Sequence, residues 1–225
     1  MYQLKMKSLN IYQAKFKKFG SNHKSLLWKT KGAAHQRFRE FWKEIDFNNK
    51  KVLDIGCGFG EMGNFLVKRY KNVTYKGVDI MPEFIESGKK LYPQLDLEIH
   101  DFHELTNTVS YSGIMYDIVL ASGVLNSNIP NNMDYREKSI KKMFELTNNC
   151  LAFNMLGSHP QPKNDEDSNV WYADSLEIIE YCMSLSQRVI LRANYHPKDF
   201  TIFMYVLSNY FYTISNGLCS KKARK

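Results

Sequence analysis

From about residue 33 onward, short apolar runs alternate with segments whose apolar positions recur every three or four residues. This is the pattern of an α/β protein whose mostly parallel, doubly wound sheet is covered on both faces. Ala34, Phe38, Phe41, Trp42 and Ile45 form a helical stripe, and the polar stretch from Asp46 to Lys51 leads into Val52 to Ile55, the first predicted strand. Met62, Phe65, Leu66 and Tyr70 mark the next helix. Val73 to Val78 reads as the second strand, and Pro82 suits the opening turn of a helix bearing Phe84, Ile85 and Leu91. Leu95 to His100 is the third strand, Tyr116 to Ala121 the fourth and Cys150 to Met155 the fifth, with Ser139 to Leu146 in a helix between the last two. Asp174 and Glu177 have the spacing of a capping box and open a helix bearing Leu176, Ile179 and Met183. Arg188 to Ala193 and Phe200 to Val206 complete the pattern. Parallel neighbours need a long crossover, so the short connection from Asn194 to Asp199 makes the last strand antiparallel.

Ahead of this body, Leu9, Tyr12, Phe16 and Phe19 recur at helical spacing among Lys15, Lys17 and Lys18. They predict a basic amphipathic helix, whose plainest role is to pack as a lid or flank. The formal charge of +8 sits at the ends: residues 1–51 hold thirteen Lys/Arg against three acids, and the last five residues add four more positive charges. A basic arm on a slightly acidic body favours encounter with anionic surfaces, although solubility is the plainer reading. At 225 residues one core is expected. The division predicted is a basic arm over 1–32, one domain over 33–208 and a basic tail over 209–225. Cys57, Cys150, Cys182 and Cys219 lie far apart with no CxxC pair, which suggests neither a disulfide framework nor a metal site. No signal-like or membrane-spanning apolar stretch appears, so a cytoplasmic protein is expected.

The chemistry concentrates in Val52-Leu53-Asp54-Ile55-Gly56-Cys57-Gly58-Phe59-Gly60, an apolar strand that ends in an acid and runs into three alternate glycines. Residues without a Cβ let the backbone approach a ligand, and the helix that follows offers unpaired N–H groups at its start. Asp79 follows the second strand about 20 residues on, where a carboxylate accepts hydrogen bonds from ribose hydroxyls. A nucleoside site follows. Gly58-Phe59-Gly60-Glu61-Met62-Gly63 matches the dinucleotide fingerprint GxGxxG. That reading, however, aims Asp54 at an anionic pyrophosphate, whereas the sulfonium and ammonium of S-adenosylmethionine attract a carboxylate.

VLDIGCGFG followed by GVDIMP closely resembles motif I and the acidic second-strand motif of class I S-adenosylmethionine-dependent methyltransferases. The flavour is that of bacterial small-molecule enzymes. The resemblance implies a Rossmann-like seven-stranded sheet ordered 3-2-1-4-5-7-6 with strand seven reversed, in agreement with the short last connection. It also implies cofactor contacts from Asp54, Gly56, Cys57, Gly58, Gly60, Asp79, Ile80 and Met81. His100-Asp101-Phe102 is similar to the family's third-strand acid, which places Asp101 and Phe102 at the adenine. Tyr116 to Ser122 resembles the fourth-strand motif, with Ala121 and Ser122 beneath the methionine moiety. Arg37, in Gln36-Arg37-Phe38, stands where enzymes similar to ubiquinone-pathway O-methyltransferases carry an arginine for the cofactor carboxylate.

With an activated methyl donor, alignment of the nucleophile and exclusion of water do most of the work. A hydroxyl or protonated amine also needs a base beyond the fourth or fifth strand. His159 is the acid/base candidate by side-chain chemistry, with Asn126 and Asn154 as polar residues that orient substrate. Gln161 to Tyr172 is read as an acceptor-side loop or as packing beneath the next helix. The fourth strand ends in Ala121-Ser122-Gly123-Val124 rather than the D/N-PP-Y motif of nucleobase amino methyltransferases. A small-molecule oxygen or nitrogen acceptor is therefore favoured. RNA methylation aided by the basic arm and a non-catalytic binding module remain alternatives. Nothing in the pattern sets an oligomeric state.

Overall fold

A computed structural model describes residues 2–28, 30–105 and 116–207, with the side chains of 2–8, 31 and 33 outside the description. The tail expected over 209–225, with Cys219, lies outside the described residues. Helix α1 (Tyr2–Phe19) is followed by a 3-10 turn at His23–Leu26 and helix α2 (Lys31–Glu44). The body then runs β1 (Lys51–Ile55), α3 (Glu61–Arg69), β2 (Thr74–Asp79), α4 (Pro82–Leu91), β3 (Asp96–Ile99), β4 (Tyr116–Ser122), α5 (Asn132–Phe144) and β5 (Thr147–Ser158). It closes with β6 (Ala173–Asp174), α6 (Ser175–Leu185), β7 (Val189–His196) and β8 (Asp199–Tyr205).

The sheet order is β3-β2-β1-β4-β5-β8-β7. β1 pairs in parallel with β2 and β4, and β8 lies antiparallel against β5, as the brevity of its connection to β7 demands. The two-residue β6, which pairs with the end of β5, is an addition to the seven expected strands; it is too short to leave an apolar pattern. Strand order reverses between β1 and β4. In an open α/β sheet such a switch point leaves a crevice at the strands' carboxyl ends, because the two flanking crossovers depart to opposite faces.

Two apolar layers sandwich the sheet. Leu53, Val119, Leu151 and Phe153 point to one side with Ile140, Met143 and Ile178, while Val52, Leu120, Ala152 and Phe203 point to the other with Phe41 and Leu66. Each fully buried large side chain contributes about 1.5–3 kcal/mol relative to exposure. Helix starts follow their sequence signals: Pro82 occupies the first turn of α4, and the Asp174 side chain accepts the Leu176 N–H at the start of α6. The buried face of α6 is Ser175, Ile178 and Cys182; Leu176 and Met183 are exposed. Of the predicted stripe Ile179 packs against the core while Leu176 and Met183 do not, so the buried face is turned by about one position.

Helix α2 is fastened across the β7–β8 hairpin. Arg192 pairs with Glu44, the Tyr205 hydroxyl donates to Glu44 at 2.9 Å, and the Gln36 amide donates to the Tyr195 carbonyl at 2.7 Å. Among the described residues no helix is long and apolar enough to cross a membrane.

Candidate functional site

The turn after β1 is shaped by its glycines. Gly58 has φ +56, a left-handed conformation costly for residues bearing a Cβ, and a side chain there would begin 2.9 Å from a Leu26 methyl. At Gly56, with φ +67, it would begin 2.4 Å from a Val124 methyl. The N–H groups of Gly56 and Cys57 both donate to the Val78 carbonyl, which joins this turn to the end of β2.

Asp79 completes that junction. Its Oδ2 accepts the Gly58 N–H at 2.9 Å and its Oδ1 the Met81 N–H at 3.0 Å. Burial raises this carboxyl, against the pull of the Met81, Gly58 and Ile80 N–H groups. Beyond it, Ile80, Ile99, His100, Asp101 and Glu104 line a cavity of about 270 Å³. Asp101 also accepts the His103 N–H at 3.0 Å, which caps the 3-10 turn at Phe102–Glu104, and the Phe102 ring is buried. The residues predicted for ribose and adenine thus share one end of the sheet.

Asp54 has a partner that the sequence did not suggest. Tyr75 on β2 donates to its Oδ2 at 2.7 Å inside the layer formed with α3. Gly63 makes this possible, since a side chain there would begin 2.4 Å from the Tyr75 ring. The last glycine of the dinucleotide-like match therefore serves helix–strand packing. Burial pushes the Asp54 carboxyl up to about 7, while the Tyr75 hydrogen bond works in the opposite direction.

At the end of β4, Ala121 is buried and the Ser122 hydroxyl donates to Asn154 Oδ1 at 3.3 Å, across the neighbouring strand β5. Asn154 is 1% exposed, and its Nδ2 finds no partner among the described residues. Asn126 braces the wall: its Oδ1 accepts the Leu156 N–H at 2.9 Å and its carbonyl the Trp171 N–H at 2.9 Å. Arg136, wholly buried, donates to the Ser127 carbonyl and to Asn132, and its guanidinium lies 4.3 Å from the Trp171 ring. Trp171 belongs to the rim of the main core, so the 161–172 loop is tied to the 126–132 segment.

Arg37 is buried, with Nε 2.5 Å from Asp199 Oδ2 and its guanidinium 4.3 Å from the Trp28 ring. Burial pushes the Asp199 carboxyl up to about 6, with Arg37 acting against it. His159 stands apart, exposed past the end of β5, where its Nδ1 lies 3.1 Å from both Asp174 oxygens. Sequence reading missed Tyr75, Trp28, Asp199 and Asp174 as partners of site residues. Tyr75 and Asp174 lay within recognised elements, but the Arg37–Asp199 pair joins opposite ends of the chain and leaves no local signal.

A family model described as a methyltransferase domain matches residues 53–149. Rv1506c of Mycobacterium tuberculosis, a protein assigned to the methyltransferases, is 23% identical over 68% of this chain and 91% of its own length. Protein 235L of Invertebrate iridescent virus 6, similarly assigned, is 35% identical over 24% of this chain, a match that spans only 20% of that protein's length. Among solved structures, magnesium protoporphyrin IX methyltransferase from Synechocystis PCC 6803 with bound SAM superposes with a TM-score of 0.58. It is 14% identical, over 78% of this chain and 81% of its own, a likeness of fold.

Proposed function

We propose that this chain is a class I S-adenosylmethionine-dependent methyltransferase, a reading supported by the methyltransferase-domain match over residues 53–149 and by the fold, and that it transfers the methyl group to a small-molecule oxygen or nitrogen nucleophile. The observation that carries the reading is Asp79, held at the end of β2 by the N–H of Gly58 and bordered by the cavity at Ile80 and Asp101. A glycine turn without room for side chains, a fixed carboxylate and a lined cavity fit an adenosyl compound.

S-adenosylmethionine supplies a methyl group already activated on a positively charged sulfur. In this reading Asp79 receives the ribose hydroxyls, Ile80, Met81, Asp101 and Phe102 surround the adenine, and Gly56, Cys57, Gly58 and Gly60 give backbone access. Ala121 and Ser122 lie beneath the methionine portion, and Asp54 lies below the turn, where a bound cation would draw its raised carboxyl into the ionised form. Arg37, whose Nε pairs with Asp199 and whose guanidinium lies against the Trp28 ring, is the cation offered to the cofactor carboxylate. For the acceptor, Asn154 offers the unpaired Nδ2, Asn126 fixes the wall, and His159, oriented through Nδ1 by Asp174, keeps Nε2 for a proton. A small acceptor is supported by the braced loop around Trp171 and by the relative that acts on magnesium protoporphyrin IX.

Calorimetry with S-adenosylhomocysteine, followed by a labelled-methyl screen of phenols, catechols and amines, tests the proposal. Cofactor binding with methylated product supports it, and failure to bind ends it. A second reading, RNA as acceptor, is favoured by one feature: Lys15, Lys18 and Lys24 place their ammonium groups 5.9, 5.3 and 5.7 Å from the centre of the Phe19 ring. RNA binding that weakens steeply with salt and is lost on deleting residues 1–31 would support that reading.

A further inference from the structure

The arm's helix packs on the site rather than on the sheet. Leu9, Tyr12 and Phe16 of α1 meet a buried cluster of Phe59, Met81 and Phe84. Phe59 lies in the glycine turn, the Met81 N–H donates to Asp79, and Phe84 is in the first turns of α4. The Tyr12 ring meets Phe84 edge-on at 5.8 Å, and Phe16 stands 5.9 Å from Phe84 and 6.3 Å from Phe59. Ile80 packs on this cluster and also lines the 270 Å³ cavity, so the helix and the cavity share a wall.

The covering continues past the helix. Ser25, wholly buried, donates to the Gly20 carbonyl at 2.6 Å and fastens the bend after α1. Leu26 then sits on Gly58, the residue whose N–H is bound to Asp79, and the Trp28 ring stands 3.6 Å from where a side chain on Gly123 would begin. One strap therefore runs from Phe84 across the glycine turn to the end of β4. Among the described residues no hydrogen-bond partner takes the Tyr12 hydroxyl. Burial pushes this phenol up to about 12, with added contributions from the negative charge of Asp79 and from Tyr135. It therefore stays protonated at neutral pH and is a hydrogen-bond donor in the field of the ribose-binding carboxylate.

We propose that α1 is a movable wall of the cofactor site and that the Tyr12 hydroxyl hydrogen-bonds the bound adenosyl group beside Asp79. The inference rests on the methyl-transfer reading given above. With Leu26 seated on Gly58, admission of the cofactor requires the strap to lift. Contacts that exist only when the strap is down then make a bound adenosyl ligand hold it closed.

The test uses the full chain and S-adenosylhomocysteine. Calorimetry compares wild type with Tyr12→Phe, and trypsin cleavage after Lys15, Lys17, Lys18 and Lys24 is timed with and without saturating ligand. The expected results are a Kd raised about 3- to 10-fold by Tyr12→Phe at unchanged Tm, the loss of one hydrogen bond, and slower cleavage of residues 15–24 when ligand is bound. Leu26→Ala, which loosens the strap without touching the hydroxyl, should speed that cleavage in the free protein. Equal affinity of wild type and Tyr12→Phe with ligand-independent cleavage would make α1 a passive flank and overturn the inference alone. No binding to wild type would remove the cofactor reading itself, and this inference with it.

Discussion

Asp79→Asn separates the two duties assigned to that carboxylate. In the folded chain its oxygens accept the Gly58 and Met81 N–H groups at 2.9 and 3.0 Å. Hydrogen bonds to a charged acceptor contribute about 1.5–3 kcal/mol each. Asparagine keeps one acceptor oxygen and turns an NH2 toward the other donor, so one bond is lost. Relief of the charge's desolvation offsets part of that loss, which leaves a destabilisation of about 1–2 kcal/mol. For a chain of this size that corresponds to a Tm lowered by roughly 2–8 °C. If Asp79 receives the two ribose hydroxyls as proposed, the variant loses charge-assisted bonds to them, and the Kd for S-adenosylhomocysteine should rise about 10- to 100-fold. Thermal unfolding and calorimetry on the same sample read the two effects separately. A lowered Tm with Kd within twofold of wild type would reduce Asp79 to a turn-holding residue and refute the ribose assignment. An unchanged Tm would refute the importance of its two backbone bonds.

Four further outcomes follow from the geometry. Asp54 ionises at about 7 in the folded chain against 3.8 for an aspartate free in water. The folded protein therefore holds a proton that the unfolded chain releases between pH 4 and 7, and stability falls as pH rises through that window, by on the order of 4 kcal/mol at most. Asp79 and Asp199 shift in the same direction, so urea unfolding of Asp54→Asn beside wild type at pH 5 and 8 isolates its share; parallel profiles would refute it. Gly58→Ala adds a Cβ at φ +56 against Leu26 and should cost about 1–2 kcal/mol while weakening S-adenosylhomocysteine binding; a variant as stable and as tight as wild type would contradict the packing of Leu26. Arg136→Met leaves the Ser127 and Asn132 carbonyls without their buried donor, so stability should drop by about 1–3 kcal/mol with faster amide exchange at residues 127–132, and a more stable variant would show that the buried cation is a net burden. If His159 takes the acceptor's proton, His159→Ala should lower kcat about 10²-fold or more and remove a pH-dependent limb of the rate without changing cofactor affinity; an unaltered pH profile would assign the proton elsewhere.

The alternation of apolar runs and helical stripes determined a mostly parallel sheet buried on two faces, and the short final connection the reversal of its last strand. The strand order was legible only through the resemblance of the glycine turn and the second-strand acid to methyltransferase motifs. The glycine turn and Asp79 were legible for a related reason: a positive φ, a missing Cβ and an acid at a strand end are requirements of single residues, written where they act. Tertiary structure alone decided what those residues touch. Tyr75 reaches Asp54 only because Gly63 clears its path, and Arg37 meets Asp199 across 162 positions of chain. The face of α6 that is buried was likewise set by its seating on the sheet rather than by its own stripe. The seating of Tyr12 and Leu26 over the site also depends on distance, since periodicity marks an amphipathic face without marking what covers it. Local conformational demands are encoded locally, whereas contacts between distant segments come into being only when the fold brings their surfaces together.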